Sequence, residues 1–161
     1  MNRINSFPPI VDQDSEILIL GSVPGAKSLE MKQYYAFPQN QFWRILFHLF
    51  DSEFSEDYET RINLLKQNKI ALWDVIESCE RKGSLDTEIK DEIDNNIPEL
   101  IDNHPNIQTI FCNGQKSYKN LVKILGKDFK IPIVVLPSTS PLHTVKFGEK
   151  LLSWEQIKTQ L

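Results

Sequence analysis

The chain has 161 residues and only two cysteines, Cys79 and Cys112, far apart in sequence. That is too few thiolates for an iron–sulfur cluster, and the spacing gives no zinc pattern. Both are expected to be buried thiols. No metal site and no cofactor are expected. Long apolar runs are also lacking: nothing approaches the ~20 residues of a membrane span. Met1 to Asp14 lacks the charged start and apolar stretch of a secretory signal, so an intracellular, cytoplasmic protein is expected. Positive charge is not in excess. The net charge of -4 argues against a general nucleic-acid coat protein but permits a local basic face. Repeats, low-complexity tracts and long linkers are absent, so residues 1–161 read as one domain with one sizeable core.

What is present is an alternation of apolar strands and amphipathic helices. Glu16 to Gly21 is a continuous apolar run ending in glycine, the pattern of a buried parallel strand. Ile70 to Trp73, Ile107 to Cys112 and Ile131 to Leu136 read as three further strands, the third stopped by Asn113-Gly114. Helices are predicted over Gln41 to Phe50, Tyr58 to Gln67, Ile97 to Asn103, Gln115 to Leu125 with Gly126 as C-cap, and Leu151 to Leu161. The order implies an α/β fold: a short, mostly parallel four-stranded sheet with helices on both faces. Such sheets carry their sites at the carboxyl ends of the strands, which directs attention to the residues after Leu20, Trp73, Cys112 and Leu136.

Gly21-Ser22-Val23-Pro24-Gly25 follows the first strand as a backbone-exposing turn. It is neither a Walker loop nor a dinucleotide fingerprint, because the lysine and the glycine spacing are wrong. The next stretch is less ordinary. Tyr34-Tyr35-Ala36-Phe37-Pro38-Gln39-Asn40-Gln41-Phe42-Trp43 crowds aromatics into a loop before a helix, with Asn40 at the expected helix start. Taken alone, Asn40 is an N-cap and the aromatics are core.

These two segments together resemble the first motif of the uracil-DNA glycosylase superfamily, and Leu136-Pro137-Ser138-Thr139-Ser140-Pro141-Leu142-His143 resembles its second. Ala71 to Ile76 and Cys112 to Lys116 look like the intervening blocks, so the resemblance spans residues 16 to about 145 in the right order. Within the superfamily the pattern is most similar to the hypoxanthine-DNA glycosylase branch. Ser22 stands where the uracil and mismatch branches carry a water-positioning Asp or Asn, and Asn40 matches the later asparagine of the hypoxanthine branch. Phe37 and Gln39 depart from the histidine and arginine usual there. Leu142 departs from a smaller residue and is like the uracil enzymes instead.

The resemblance implies monofunctional hydrolysis of an N-glycosidic bond in DNA carrying a deaminated base, by a monomer acting on a flipped nucleotide. Asn40, with Ser22, is then the catalytic candidate, its amide carbonyl holding the attacking water. Gly21, Tyr35, Asp74 and Ser138 line the base pocket. Tyr35 is the stacking platform, worth roughly 1–3 kcal/mol for a held base. Asp74 accepts from N1–H of hypoxanthine; the alternative is that Asp74 caps a following helix. Ser138 and Ser140 offer hydroxyls to phosphate. Leu142 is a candidate wedge, flanked by Pro141 and by His143, which contacts phosphate or the leaving base or is a plain surface residue. Lys82 and Ser84 are weaker phosphate candidates. Lys27 and Lys116 are expected to face solvent or phosphate and not to act as nucleophiles. His48 and His104 have no assigned chemistry. The competing readings are a uracil or mismatch glycosylase of the same fold, and a non-catalytic base- or nucleotide-binding module.

Overall fold

A computed structural model describes residues 3–160. Four parallel strands, β2 (Ile17–Gly21), β3 (Ile70–Asp74), β6 (Thr109–Asn113) and β7 (Ile133–Leu136), form one sheet in the order β3-β2-β6-β7. Central β2 is buried along its whole length, which is why its sequence is apolar without alternation.

The two faces of this sheet divide the core by the period of a strand. Ile17, Ile19, Ile70, Leu72 and Phe111 point to one side and pack with α2 (Phe42–Leu49) and α3 (Tyr58–Gln67), together with Trp154 and Ile157. Leu18, Leu20, Ala71, Ile110 and Cys112 point to the other and meet α4 (Ile97–Asn103) and α5 (Gln115–Leu125). The expected double-sided cover is therefore present. Both cysteines are free and buried.

Helix ends follow their local chemistry. Asp57 caps α3 by accepting from the Thr60 amide at 3.0 Å, and Asn96 caps α4 by accepting from Glu99 at 3.2 Å. Gly126, at φ 73°, closes α5, a backbone state that disfavours a side chain.

The sequence reading misses a second sheet. β1 (Arg3–Asn5), β4 (Ile76–Glu80) and β5 (Lys90–Asp94) pair antiparallel in the order β1-β4-β5. β4 begins two residues after β3 ends, and β5 is exposed and mostly charged, so neither carries a buried-strand pattern. A short helix, α1 (Ala26–Met31), follows the glycine turn and was also not predicted. The expected closing helix from Leu151 begins earlier, as α6 (Phe147–Trp154), and restarts as α7 (Gln156–Thr159); Leu161 lies outside the described residues. β6 runs through Asn113 instead of stopping before it, pairing Asn113 with Leu136.

Candidate active site

The carboxyl ends of β2, β3 and β6 stand side by side, because parallel register places Gly21 next to Asp74 and Leu20 next to Cys112. A side chain at Gly21 would collide with its neighbours. A Cβ there would sit 2.7 Å from Asp74 Oδ1 and 2.7 Å from Tyr35 Oη. Glycine at this position thus lets a carboxylate and a phenol converge over bare backbone.

Asp74 ends β3 and is only 4% exposed. Its Oδ2 is buried without a hydrogen-bond partner among the described residues. Burial first, and then the nearby Asp86 carboxylate, push its pKa up to about 7, with Arg81 opposing. The helix-capping alternative is excluded: a strand, β4, follows Asp74, and no helix begins there. A buried carboxyl with an unsatisfied oxygen is costly unless something fills the role of its partner.

Tyr35 holds a left-handed backbone, φ 53°, that a tyrosine rarely adopts. The surroundings that impose it are specific. Its ring stacks on Phe42 with centroids 4.1 Å apart at 19°. Its hydroxyl accepts from Asn113 Nδ2 at 3.1 Å. Phe42 belongs to the core, so Tyr35 is both a core contact and a residue aimed at the Gly21–Asp74 corner. Burial, and then the charge of Asp74, raise its pKa, so the phenol stays protonated.

Asn40 lies at the entry to α2. Its Oδ1 accepts from the Phe42 amide at 3.0 Å, a turn bond two residues on that leads the chain into the helix. An amide oxygen has a second lone pair, so this bond leaves one acceptor site and fixes where it points. Gln41 follows, its amide donating to the Thr139 carbonyl at 3.0 Å and thereby docking the start of α2 on the last loop. Phe37 is 46% exposed, and Gln39 is exposed as well.

Ser22 turns toward Asp86, donating to its Oδ1 at 2.9 Å. Beside it, nearly buried Arg81 ties the glycine turn to the end of β4: Nη2 donates to the Pro24 carbonyl and Nε to that of Gly83, each at 2.7 Å. Ser84 Oγ accepts from the Ala26 amide at 3.0 Å, which brings the Lys82–Ser84 loop against the same turn. Lys27 pairs with Glu30 and Lys116 with Glu92, at 3.6 and 2.8 Å.

The last loop is a staircase of serine turns. Ser138 Oγ accepts from the Ser140 amide at 3.1 Å, and Ser140 Oγ accepts from the Leu142 amide at 3.2 Å. In each case the hydroxyl is the acceptor, so its own proton remains to be donated outward. Leu142 stands 68% exposed at the crest, next to exposed Pro141 and His143. Lys150 of α6, 1% exposed, anchors the loop from beneath by donating to the Ser140 carbonyl at 3.1 Å.

Sequence reasoning overlooked Asn113, Thr139, Arg81 and Asp86. Asn113 had a signal: it is the polar residue at the carboxyl end of a predicted strand, though Asn-Gly also reads as a turn. Asp86 and Arg81 had none, because they reach the site through the antiparallel sheet and its connection. Among the described residues no cluster of His, Cys, Asp and Glu suits a metal ion, and no helix is long and apolar enough to cross a membrane.

Fold and site together define an α/β protein with a polar corner at the carboxyl edge of a parallel sheet, walled by a stacked tyrosine and overlooked by an apolar loop crest. A profile of the Uracil DNA glycosylase superfamily matches residues 8–159. This chain belongs to the uracil DNA glycosylase superfamily. It is 44% identical to a hypoxanthine DNA glycosylase of Methanosarcina barkeri over 78% of this chain and 81% of that protein. It is 36% identical to a hypoxanthine DNA glycosylase of Methanosarcina acetivorans over 94% of this chain and 95% of that protein. A solution NMR structure of a candidate uracil DNA glycosylase from Methanosarcina acetivorans superposes with a TM-score of 0.80, at 34% identity, over 98% of this chain and 99% of that one.

Proposed function

We propose that this chain is a monofunctional DNA glycosylase that hydrolyses the N-glycosidic bond of deoxyinosine and releases hypoxanthine, as the names of its Methanosarcina relatives indicate for those proteins. The observation that carries the reading within the site is Asp74, whose buried Oδ2 lacks a partner beside the bare backbone of Gly21. Hypoxanthine presents an N1–H donor next to an O6 acceptor. A carboxylate accepts from N1–H; the protonated acid accepts from N1–H and donates to O6 as well. Ionised Asp74 repels adenine, which has a lone pair at N1.

In this reading the flipped nucleotide enters against Tyr35, and Leu142 fills the gap left in the duplex. Asn40 holds water with the lone pair that the Phe42 amide does not use. The water oxygen bonds to C1′, the C1′–N9 bond breaks, its electron pair leaves with the base, and a water proton ends on hypoxanthine. No lysine is required, and Lys27 and Lys116 are held in ion pairs. Ser138 and Ser140 donate to phosphate, which positions the strand without reading sequence.

Uracil also carries an imide N–H, so Asp74 alone does not separate the two bases. The test is direct. Purified protein is incubated with oligonucleotides carrying deoxyinosine, uracil, xanthine or normal bases, followed by alkaline cleavage of abasic sites. Breaks at deoxyinosine well above uracil are expected. Breaks at uracil first would replace the hypoxanthine assignment, and base binding without breaks would replace the enzymatic one.

A further inference from the structure

Asn113 hydrogen-bonds at once to two parts of the site: the Tyr35 platform and the loop that carries Ser138 to Leu142. Its amide group is used on both ends. Oδ1 accepts from the Thr139 backbone amide at 3.0 Å. Nδ2 donates to Thr139 Oγ1 at 3.0 Å and to Tyr35 Oη at 3.1 Å. The orientation of the amide is fixed by chemistry: a backbone N–H only donates, so the oxygen must face Thr139 N and the nitrogen must face the hydroxyls. Tyr35 Oη is therefore an acceptor toward Asn113, and its proton is left for the side where Gly21 and Asp74 lie.

Thr139 is a rigid receiver. It is fully buried, its carbonyl accepts from the Gln41 amide, and its other polar atoms are both held by Asn113. Gly114, at φ 94°, packs the backbone against Ser138 so closely that a Cβ there would lie 3.2 Å from the Ser138 Cβ. The connection from Asn113 to the loop has no slack.

We propose that Asn113 is a positioning residue that locks the Tyr35 platform to the Ser138–Leu142 loop, so that a base seated on the tyrosine and a duplex engaged by the loop require one shared geometry. This rests on the glycosylase reading for its catalytic consequence but not for its structural one. A loose Tyr35 would still stack a base from a single strand. A loose loop would no longer place Leu142 opposite the vacated space while that base is held. The loss falls on duplex substrates.

The test has two arms. In the first, backbone amide exchange at Thr139 is followed by NMR in the wild type, Tyr35→Phe, Asn113→Ala and the double variant. The Tyr35 hydroxyl makes no hydrogen bond to Thr139, so its hydrogen-bonded route to Thr139 runs through Asn113, and Tyr35→Phe keeps the ring that stacks on Phe42. Exchange about 3-fold faster in Tyr35→Phe is expected from the loss of one neutral hydrogen bond. No further gain is expected when it is added to Asn113→Ala. Unchanged exchange in Tyr35→Phe overturns the coupling. In the second arm, single-turnover excision of deoxyinosine is measured with enzyme titrated for active fraction. Asn113→Ala is expected to slow duplex excision about 10-fold and single-strand excision by about 2-fold or less, the larger loss corresponding to roughly one strong hydrogen bond. Equal loss on both substrates, or a loss confined to the active fraction, identifies a residue that only supports the fold and overturns the proposal. If the wild type does not excise deoxyinosine, the functional reading fails, and the exchange arm still decides the role of Asn113.

Discussion

Asn40 shows how one side chain can satisfy two demands. Its carbonyl steadies the entry to α2 by accepting from the Phe42 amide, and that bond aims the remaining lone pair. Replacement by alanine is expected to lower single-turnover excision by on the order of 100-fold or more, as loss of an oriented polar group does at a reacting centre. The bond to the Phe42 amide contributes about 1 kcal/mol, so a modest fall in Tm accompanies it, while DNA affinity measured by anisotropy stays within about 3-fold. Equal losses of binding and turnover would assign Asn40 to the turn before α2 alone. Asp74 makes the opposite bargain with stability. Its folded pKa, about 7, lies above its ordinary value of 3.8, so the native state keeps a proton that the unfolded chain releases. Its contribution to stability is complete below about pH 4, declines as pH rises and is lost above about pH 7. Asp74→Asn is therefore expected to raise Tm by about 5 °C at pH 8 and hardly at all at pH 4, read by calorimetry. A pH-independent difference would show that burial of the charge is not the cause.

At the scale of elements, the Ser138–Leu142 loop gives the clearest expectation. Its crest is apolar and exposed while its base is anchored by Lys150, Asn113 and the start of α2. Leu142→Ala should slow excision about 5-fold or more from duplex and leave single-strand excision nearly unchanged, because a wedge offsets unstacking that a single strand does not incur. Loss of equal size on both substrates would leave Leu142 without a wedge role. The elements were legible where burial imposes a local pattern. Ile17 to Leu20 announces a central parallel strand, and the helices over Phe42–Leu49 and Gln115–Leu125 repeat apolar residues at helical spacing. β5 was not legible, since Lys90-Asp91-Glu92-Ile93-Asp94 is held by pairing to β4 and buries nothing. The site divides in the same way. Gly21, Tyr35 and Asp74 stand at strand ends or in the aromatic loop, where the fold class directs attention. Asp86 and Arg81 arrive from the unforeseen sheet, so no local pattern foretold that Asp86 would take the Ser22 hydroxyl. Asn113 was hidden by its own dipeptide: Asn-Gly usually turns the chain, and here the asparagine completes β6 and only the glycine turns.

The whole molecule is acidic, yet its relatives act on a polyanion. The resolution lies in how the face at the strand ends is furnished. The Ser138 and Ser140 hydroxyls have protons to spare and Leu142 protrudes beside them, while Lys27 and Lys116 are matched by Glu30 and Glu92. Few counterions should then be released on binding. We expect log Kd for undamaged duplex to change with log salt at a slope of about 2–3, far shallower than proteins that neutralise many phosphates. A slope near that of a 6–10 phosphate binder would reveal a basic surface that the loops do not account for. We also expect a monomer, read by sedimentation, since one strand-end face must remain open to DNA. Cys112 lies next to Asn113, fully buried under α5, with burial pushing its thiol up to about 12. A thiolate scarcely exists there at physiological pH, so alkylating reagents are excluded twice over, by access and by protonation. Its labelling rate is consequently a native stopwatch for the parting of α5 from the sheet, recorded one residue away from the asparagine that joins the two halves of the site.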